Sequence, residues 1–82
     1  MLLSYDPRQN IAYLRLRDPE GVEIETMRLS DELNIDLAPD GTVYGIELLN
    51  ANAQLGATNS GFLVVVDEET GRRVEVPLSE AV

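Results

Sequence analysis

The chain contains no cysteine, no histidine, no tryptophan and no lysine. Without cysteine there is no disulfide, no thiol nucleophile and no thiolate-bound metal. Without histidine the commonest general base is missing, and so is the usual imidazole ligand of zinc and copper. Serine–histidine–aspartate and cysteine–histidine catalysis are therefore excluded within one chain. No apolar run approaches the roughly 18 residues that cross a membrane as a helix. The opening residues, MLLSYDPR, have no basic region, and their apolar stretch is too short for a signal peptide. The expected compartment is the cytoplasm. The glycines stand singly at 21, 41, 45, 56, 61 and 71, so no phosphate-cradling loop occurs.

What is present is acid. Fifteen Asp and Glu face six basic residues, for a net charge of −9. All six bases are arginine: Arg8, Arg15, Arg17, Arg28, Arg72 and Arg73. The charge argues against nucleic acid as a partner, because binding its backbone needs basic residues to displace counterions. It argues against anionic membrane surfaces on the same ground. The charge serves solubility, or it steers the chain toward a basic protein.

Eighty-two residues make one domain, spanning 1–82. A chain of this length buries only about 60–65% of its unfolded surface, so its core is marginal. With no disulfide or metal to staple it, either the core packs unusually well or an oligomer supplies the missing burial.

Apolar alternation marks the strands. Leu2, Leu3 and Tyr5 begin the first, and Asp6 to Asn10 is a turn around Pro7, with Asp6 able to bond its backbone. Ile11 to Leu16 returns, with Ala12, Leu14 and Leu16 on one face and Ile11, Tyr13 and Arg15 on the other. Asp18-Pro19-Glu20-Gly21 is a second turn. Val22 to Thr26 alternates as a strand with one wet face, carrying Glu23 and Glu25. Met27 to Glu32 either extends it or bends at Ser30-Asp31-Glu32.

Leu33 to Leu49, LNIDLAPDGTVYGIELL, reads as a hairpin around Asp40-Gly41. A four-residue loop sets Tyr44, Ile46 and Leu48 against Ile35 and Leu33, with Val43 outward. A type I turn with Gly41 in the left-handed region instead sets Val43 opposite Leu37. It then needs an extra residue to keep Ile46 and Leu48 inside, and Gly45 stands where such a bulge falls. The bulged register is preferred. It groups Val43, Ile46 and Leu48 on the core face and leaves Asp36, Tyr44 and Glu47 toward solvent.

Asn50 to Gly61 is small and polar. Ala51 to Leu55 suits one helical turn and the rest reads as loop. Phe62 to Val66, FLVVV, is a continuous apolar run that suits a strand buried on both faces. Asp67 to Arg72 is a loop, Arg73 to Val76 alternates, Pro77 stops the pairing, and Leu78 to Val82 suits a short tail turn. The sum is a mainly β (β-rich α+β) fold: an antiparallel meander of about seven strands with at most one short helix after Leu49. FLVVV needs cover that so few helices cannot give. A homodimer is expected, packed sheet to sheet or with Phe62 to Val76 crossing to the partner.

The order of motifs resembles a family of small bacterial proteins. Ser4-Tyr5-Asp6-Pro7 is followed by Ala12-Tyr13-Leu14-Arg15-Leu16, an acidic strand, Asp40-Gly41 and Gly45-Ile46-Glu47-Leu48-Leu49. It is similar to the YuzE-like family of domains of unknown function. The resemblance covers roughly residues 2–55, with the hairpin 62–77 outside it or a decorated version of its end. It implies a compact antiparallel β fold and offers no catalytic residue. Some members are thought to sit beside small toxin-like proteins, which would imply an antitoxin-like role.

The remaining chemistry lies with carboxylates and tyrosines. Asp36, Asp40 and Glu47 flank the main turn but lack calcium-loop spacing, and Asp67-Glu68-Glu69 reads as a solvated loop tip. No metal, cofactor or catalytic residue is expected, and the chain reads as non-enzymatic. Tyr5, Tyr13 and Tyr44 either cap the sheet or form an aromatic surface for a ligand or partner. Glu23 and Glu25 either pair across strands with Arg15 and Arg17 or form an acidic ridge. The candidate interaction face is Tyr13, Glu23, Glu25, Asp36, Tyr44 and Glu47. Two functions follow: a non-catalytic module binding a basic protein, or a small-molecule-binding or regulatory domain with its site at a dimer interface.

Overall fold

The computed structural model describes residues 1–56 and 61–78. They form β1 (Leu2–Asp6), β2 (Ile11–Arg15), β3 (Glu25–Ser30), β4 (Leu33–Leu37), β5 (Val43–Leu49), α1 (Ala51–Gly56), β6 (Phe62–Val66) and β7 (Arg73–Pro77). The fold is mainly β, every pairing is antiparallel, and the helix follows Leu49 directly. The tail expected after Leu78, and the loop expected at 57–60, lie outside the described residues.

The first five strands form one sheet in the order β1-β2-β5-β4-β3, and β6 and β7 form a second. The large sheet is not a plain meander. The hairpin β1–β2 and the meander β3–β4–β5 are joined by pairing β2 to β5. The apolar content of β5 explains its central place: VYGIELL carries apolar residues on both faces and is at least half-buried throughout. β3 is exposed at all six positions and takes an edge. Val22 to Ile24 lie outside any strand, because the Val22 N–H donates to the Pro19 carbonyl at 2.9 Å in a turn. β3 runs to Ser30, and the bend follows at Asp31-Glu32.

The main hairpin adopts the bulged register. Leu37 faces Val43, Asp36 faces Gly45, and Tyr44 is the extra residue between them. Gly41 has φ of +91°, and its N–H donates to the Ala38 carbonyl at 2.9 Å. A side chain at that φ is strained, so the turn needs glycine there.

Register sorts the side chains onto two sides. Leu3, Leu14, Ile46, Ile35 and Met27 are successive partners across all five strands and make one apolar row. Tyr5, Ala12, Leu48 and Leu33 make the next. The opposite side carries Ser4, Tyr13, Glu47, Asn34 and Arg28 in one row, with Gly45, Asp36 and Thr26 beside it.

A six-residue helix cannot hold itself in water, and side chains hold α1 in place. The Ala51 N–H donates to the Asn10 carbonyl at 3.1 Å, and the Asn52 N–H to Asn10 Oδ1 at 2.7 Å. Tyr5 Oη donates to Asn52 Oδ1 at 2.6 Å. Gln54 Nε2 donates to the Leu49 carbonyl at 2.6 Å. Ala51 is thereby sealed against the sheet near Ala12. Among the described residues the buried apolar side chains are only Ala12, Ala38 and Ala51, and no large side chain is fully buried.

The FLVVV segment is a strand, but among the described residues it is not covered on both faces. Phe62, Leu63, Val65 and Val66 are exposed, as are Val74 and Val76 opposite them. α1 is the element that the β6–β7 hairpin chiefly packs against.

Candidate functional site

The polar side of the large sheet gathers four of the six candidate interaction residues. Tyr13 on β2, Asp36 on β4, and Tyr44 and Glu47 on β5 all lie there. Asp36 is the hub. Its Oδ2 accepts from Tyr13 Oη at 2.7 Å, and its Oδ1 accepts from Thr26 Oγ1 at 2.7 Å. Glu47 Oε1 accepts from Asn34 Nδ2 at 2.9 Å. The expectation that Asp36 and Glu47 point freely into solvent is therefore corrected. Both are half-buried acceptors: Thr26 and Asn34 lie directly opposite Asp36 and Glu47, and Tyr13 reaches Asp36 from β2 across β5.

The network alters Tyr13. Partial burial pushes the phenol pKa up to about 12, and the hydrogen bond to Asp36 and its negative charge add to the shift. Deprotonation would bring two negative oxygens together, so Tyr13 donates rather than ionises near neutral pH. Asn34 Oδ1 is buried on this side without a hydrogen-bond partner.

Gly45 has a role that turn chemistry does not suggest. It is not among the positive-φ residues, so the bulge does not demand glycine for backbone reasons. A Cβ built there overlaps the Tyr13 hydroxyl and the ring carbon that bears it. Gly45 is empty so that the Tyr13 ring can cross β5 to reach Asp36.

Beside this network is a cavity of about 120 Å³. Tyr13, Tyr44, Asp36, Arg15 and Arg17 line it, and Pro19 and Ile24 give it an apolar wall. The Arg17 guanidinium stands 5.7 Å from the Tyr44 ring centre, at cation–π distance. Neither Arg15 nor Arg17 forms an ion pair among the described residues. Sequence reasoning missed both as site residues. The signal for Arg15 was present: it alternates with Tyr13 on one strand face.

Glu23 and Glu25 do not join the group. They line a separate cavity of about 210 Å³ with Ile24, Leu37, Ala38 and Pro39. Glu25 pairs with Leu37 and so projects to the apolar side of the sheet. The expected pairing of these glutamates with Arg15 and Arg17 does not form, because β5 and β4 stand between β2 and β3. Tyr5 is also separate. It pairs with Ala12 on the apolar side and bonds to Asn52, so the three tyrosines do not make one aromatic surface.

Asp40 acts locally. The Thr42 N–H donates to its Oδ1 at 2.9 Å and holds the carboxyl below the usual carboxylate range. Among the described residues, no three carboxylates converge closely enough to hold a metal ion. No helix there is long and apolar enough to cross a membrane.

Comparison with curated proteins and with solved structures gives no match. A family model does match, over residues 3–52, which takes in β1 through β5 and the first residues of α1 and stops short of the β6–β7 hairpin. That is more than half of the chain, and it includes the Tyr13–Asp36 network, the bulge and Gly45. The chain belongs to the family described as protein of unknown function DUF2283.

Proposed function

We propose that this chain is a non-catalytic protein-interaction module whose acidic surface receives a basic protein. One observation carries the reading: its negative charge is left uncompensated. Among the described residues only Asp31 and Glu75 are in ion pairs, with Arg28 and Arg73. Asp36 and Glu47 are engaged by Tyr13, Thr26 and Asn34, and every other carboxylate there is exposed to a partner's Lys and Arg, against a net charge of −9. Such a field raises the rate of encounter with a basic surface more than it raises the affinity. The YuzE-like resemblance supports an antitoxin-like version, in which the partner is a small basic toxin. The interaction face is then the exposed glutamates at Glu23 and Glu25, with the Tyr13, Asp36, Tyr44 and Glu47 side as a second contact region.

The test is recovery of a partner from the native host with the full chain, followed by its affinity at two salt concentrations. A basic partner whose binding weakens at least about tenfold between low and high salt is expected, since screening removes exposed charge attraction. Glu23→Gln/Glu25→Gln should lower the association rate several-fold. Recovery of no basic protein, or binding indifferent to salt, sinks the reading.

A second reading, a small-molecule-binding or regulatory domain, is supported by the cavity at Tyr13 and Tyr44. Two unpaired arginines beside an aromatic ring suit a small anion that carries an apolar portion. Thermal shift against a panel of carboxylates and phosphates tests it. A flat response across the panel, together with an unchanged response in Arg15→Ala/Arg17→Ala, excludes it.

A further inference from the structure

We infer that the chain assembles as a reciprocal pair, in which the β6–β7 hairpin of each copy docks on the apolar side of the other copy's five-stranded sheet. Tests of this pairing do not depend on the partner proposed above, although Glu25 of the acidic face stands at the β3 edge of the same side of the sheet.

The hairpin is the first observation. Its register places Leu63 and Val65 directly opposite Val76 and Val74. Those four residues share one face of the ribbon, and that face has no polar member. Their exposures are 36%, 54%, 44% and 48%. The other face mixes Phe62, Val64 and Val66 with Arg73, Glu75 and Pro77. A lone two-stranded ribbon is at best marginally stable in water, and this one has only a six-residue helix beside it. A ribbon with one wholly apolar face needs a second layer.

The sheet is the second observation. The row Leu3, Leu14, Ile46, Ile35 and Met27 spans all five strands without a polar residue. None of these five side chains is fully buried, and Met27 is 47% exposed. A sheet face of this kind buries itself against another layer in a stable domain. Among the described residues, α1 is the element chiefly packed against this sheet, and it is bonded at Asn10, next to the start of β2.

Two unfilled apolar faces in one chain are what an isologous dimer satisfies at once. Each copy offers a hairpin and receives one. The surface area agrees. The chain exposes 6112 Å² at 9.0 kDa. A compact monomer of that mass exposes about 4,900 Å². The surplus of about 1,200 Å² exceeds the roughly 800 Å² that each partner buries in an interface of standard size. The radius of gyration, 14.3 Å, is larger than the about 12 Å of a compact chain of this length. Charge decides for a second copy over a basic partner at this surface. The apolar row and the hairpin's apolar face carry no charge, and Glu25 stands on that side only at the β3 edge, so two acidic chains meet along the row without opposing carboxylates.

Sedimentation equilibrium of the full chain at micromolar concentration tests this. A mass twice 9.0 kDa is expected. Val65→Glu/Val74→Glu, on the hairpin, should halve the mass and keep the β-sheet circular dichroism, since both sites are exposed in one chain. Met27→Glu, at the end of the sheet row, should do the same. Mixing the two variants should restore a dimer, because one intact hairpin then meets one intact sheet. A monomeric wild type overturns the inference. So does a dimer that survives both variants. Failure of the mixture to recover mass overturns the hairpin-on-sheet arrangement and assigns the contact to hairpin against hairpin or sheet against sheet. None of these results depends on recovering a basic partner, so the two proposals fail separately.

Discussion

The two sides of the five-stranded sheet solve the same problem differently. On the polar side, Tyr13, Thr26 and Asn34 donate hydrogen bonds to Asp36 and Glu47, with Asn34 Oδ1 left unpartnered. On the apolar side, five large side chains form one row, and among the described residues the helix that packs against this sheet has six residues. The polar side is held by directional bonds within the sheet, two between neighbouring strands and one that crosses β5, which a single sheet can supply. The apolar side needs a second layer, which a single sheet cannot. A small β protein can therefore hold one face by bonds within its own sheet and leave the other face open, which is the face the proposed pair would cover.

The sharpest way to break the comparison is at Gly45. Gly45→Ala drives a methyl into the Tyr13 hydroxyl, and overpacking of this kind costs up to about 3 kcal/mol. Denaturant unfolding of Gly45→Ala, Tyr13→Val and the double variant should show strong coupling, with the second change relieving the first. Additive effects would mean that the ring does not require the vacancy.

The next largest effect is expected on the apolar side. Ile46 lies on the central strand in the middle of the row, half-buried. Ile46→Ala should cost about 2 kcal/mol, at the low end for a core truncation. If a second copy covers this side, the cost grows with protein concentration in thermal melts. A cost independent of concentration would make this side as self-sufficient as the other.

Tyr13→Phe removes one hydrogen bond to Asp36 and should cost about 1 kcal/mol. Its pH dependence is more specific. The Tyr13 pKa is raised from 10.0 to about 12, so the folded state favours the protonated phenol. Stability from this group is complete below pH 10 and is lost as pH rises through about 12. Ultraviolet titration should find a tyrosinate transition near 12 that is absent from Tyr13→Phe. A transition that persists in the variant would assign the shift elsewhere.

The smallest effect is expected at Arg28→Ala. The pair with Asp31 is only 2.8 Å long, but both side chains are widely exposed, so its removal should cost under about 0.5 kcal/mol. A larger loss would show that β3 relies on charge rather than on its ladder.

Much of the local structure was legible in the residues. Alternation and one apolar run located six of the seven strands; the third was read at Val22 to Thr26, whereas β3 is Glu25–Ser30. The spacing from Leu37 to Gly45 pointed to the bulge and to Val43 opposite Leu37. The partnership of Tyr13 with Asp36 was not legible. It depends on β2 meeting β5, a pairing between segments about thirty residues apart, and strand periodicity carries no information about neighbours. For the same reason Glu23 and Glu25 were grouped with residues that lie elsewhere, since β2 and β3 are consecutive in the chain but separated by two strands. Glycine at 45 could be tied to the bulge from sequence; its use as clearance for a ring from β2 could not.

The sequence by itself determined the elements, the turns, the excess of acid and the absence of histidine and cysteine chemistry. These follow from side-chain period, backbone preference and composition, which are properties of short segments. Only the tertiary structure decided which strands meet, that Asp36 is bonded rather than solvated, and that the FLVVV strand lies uncovered in its own chain. Burial and hydrogen bonding depend on segments distant in sequence, so they exist only once the sheet has formed.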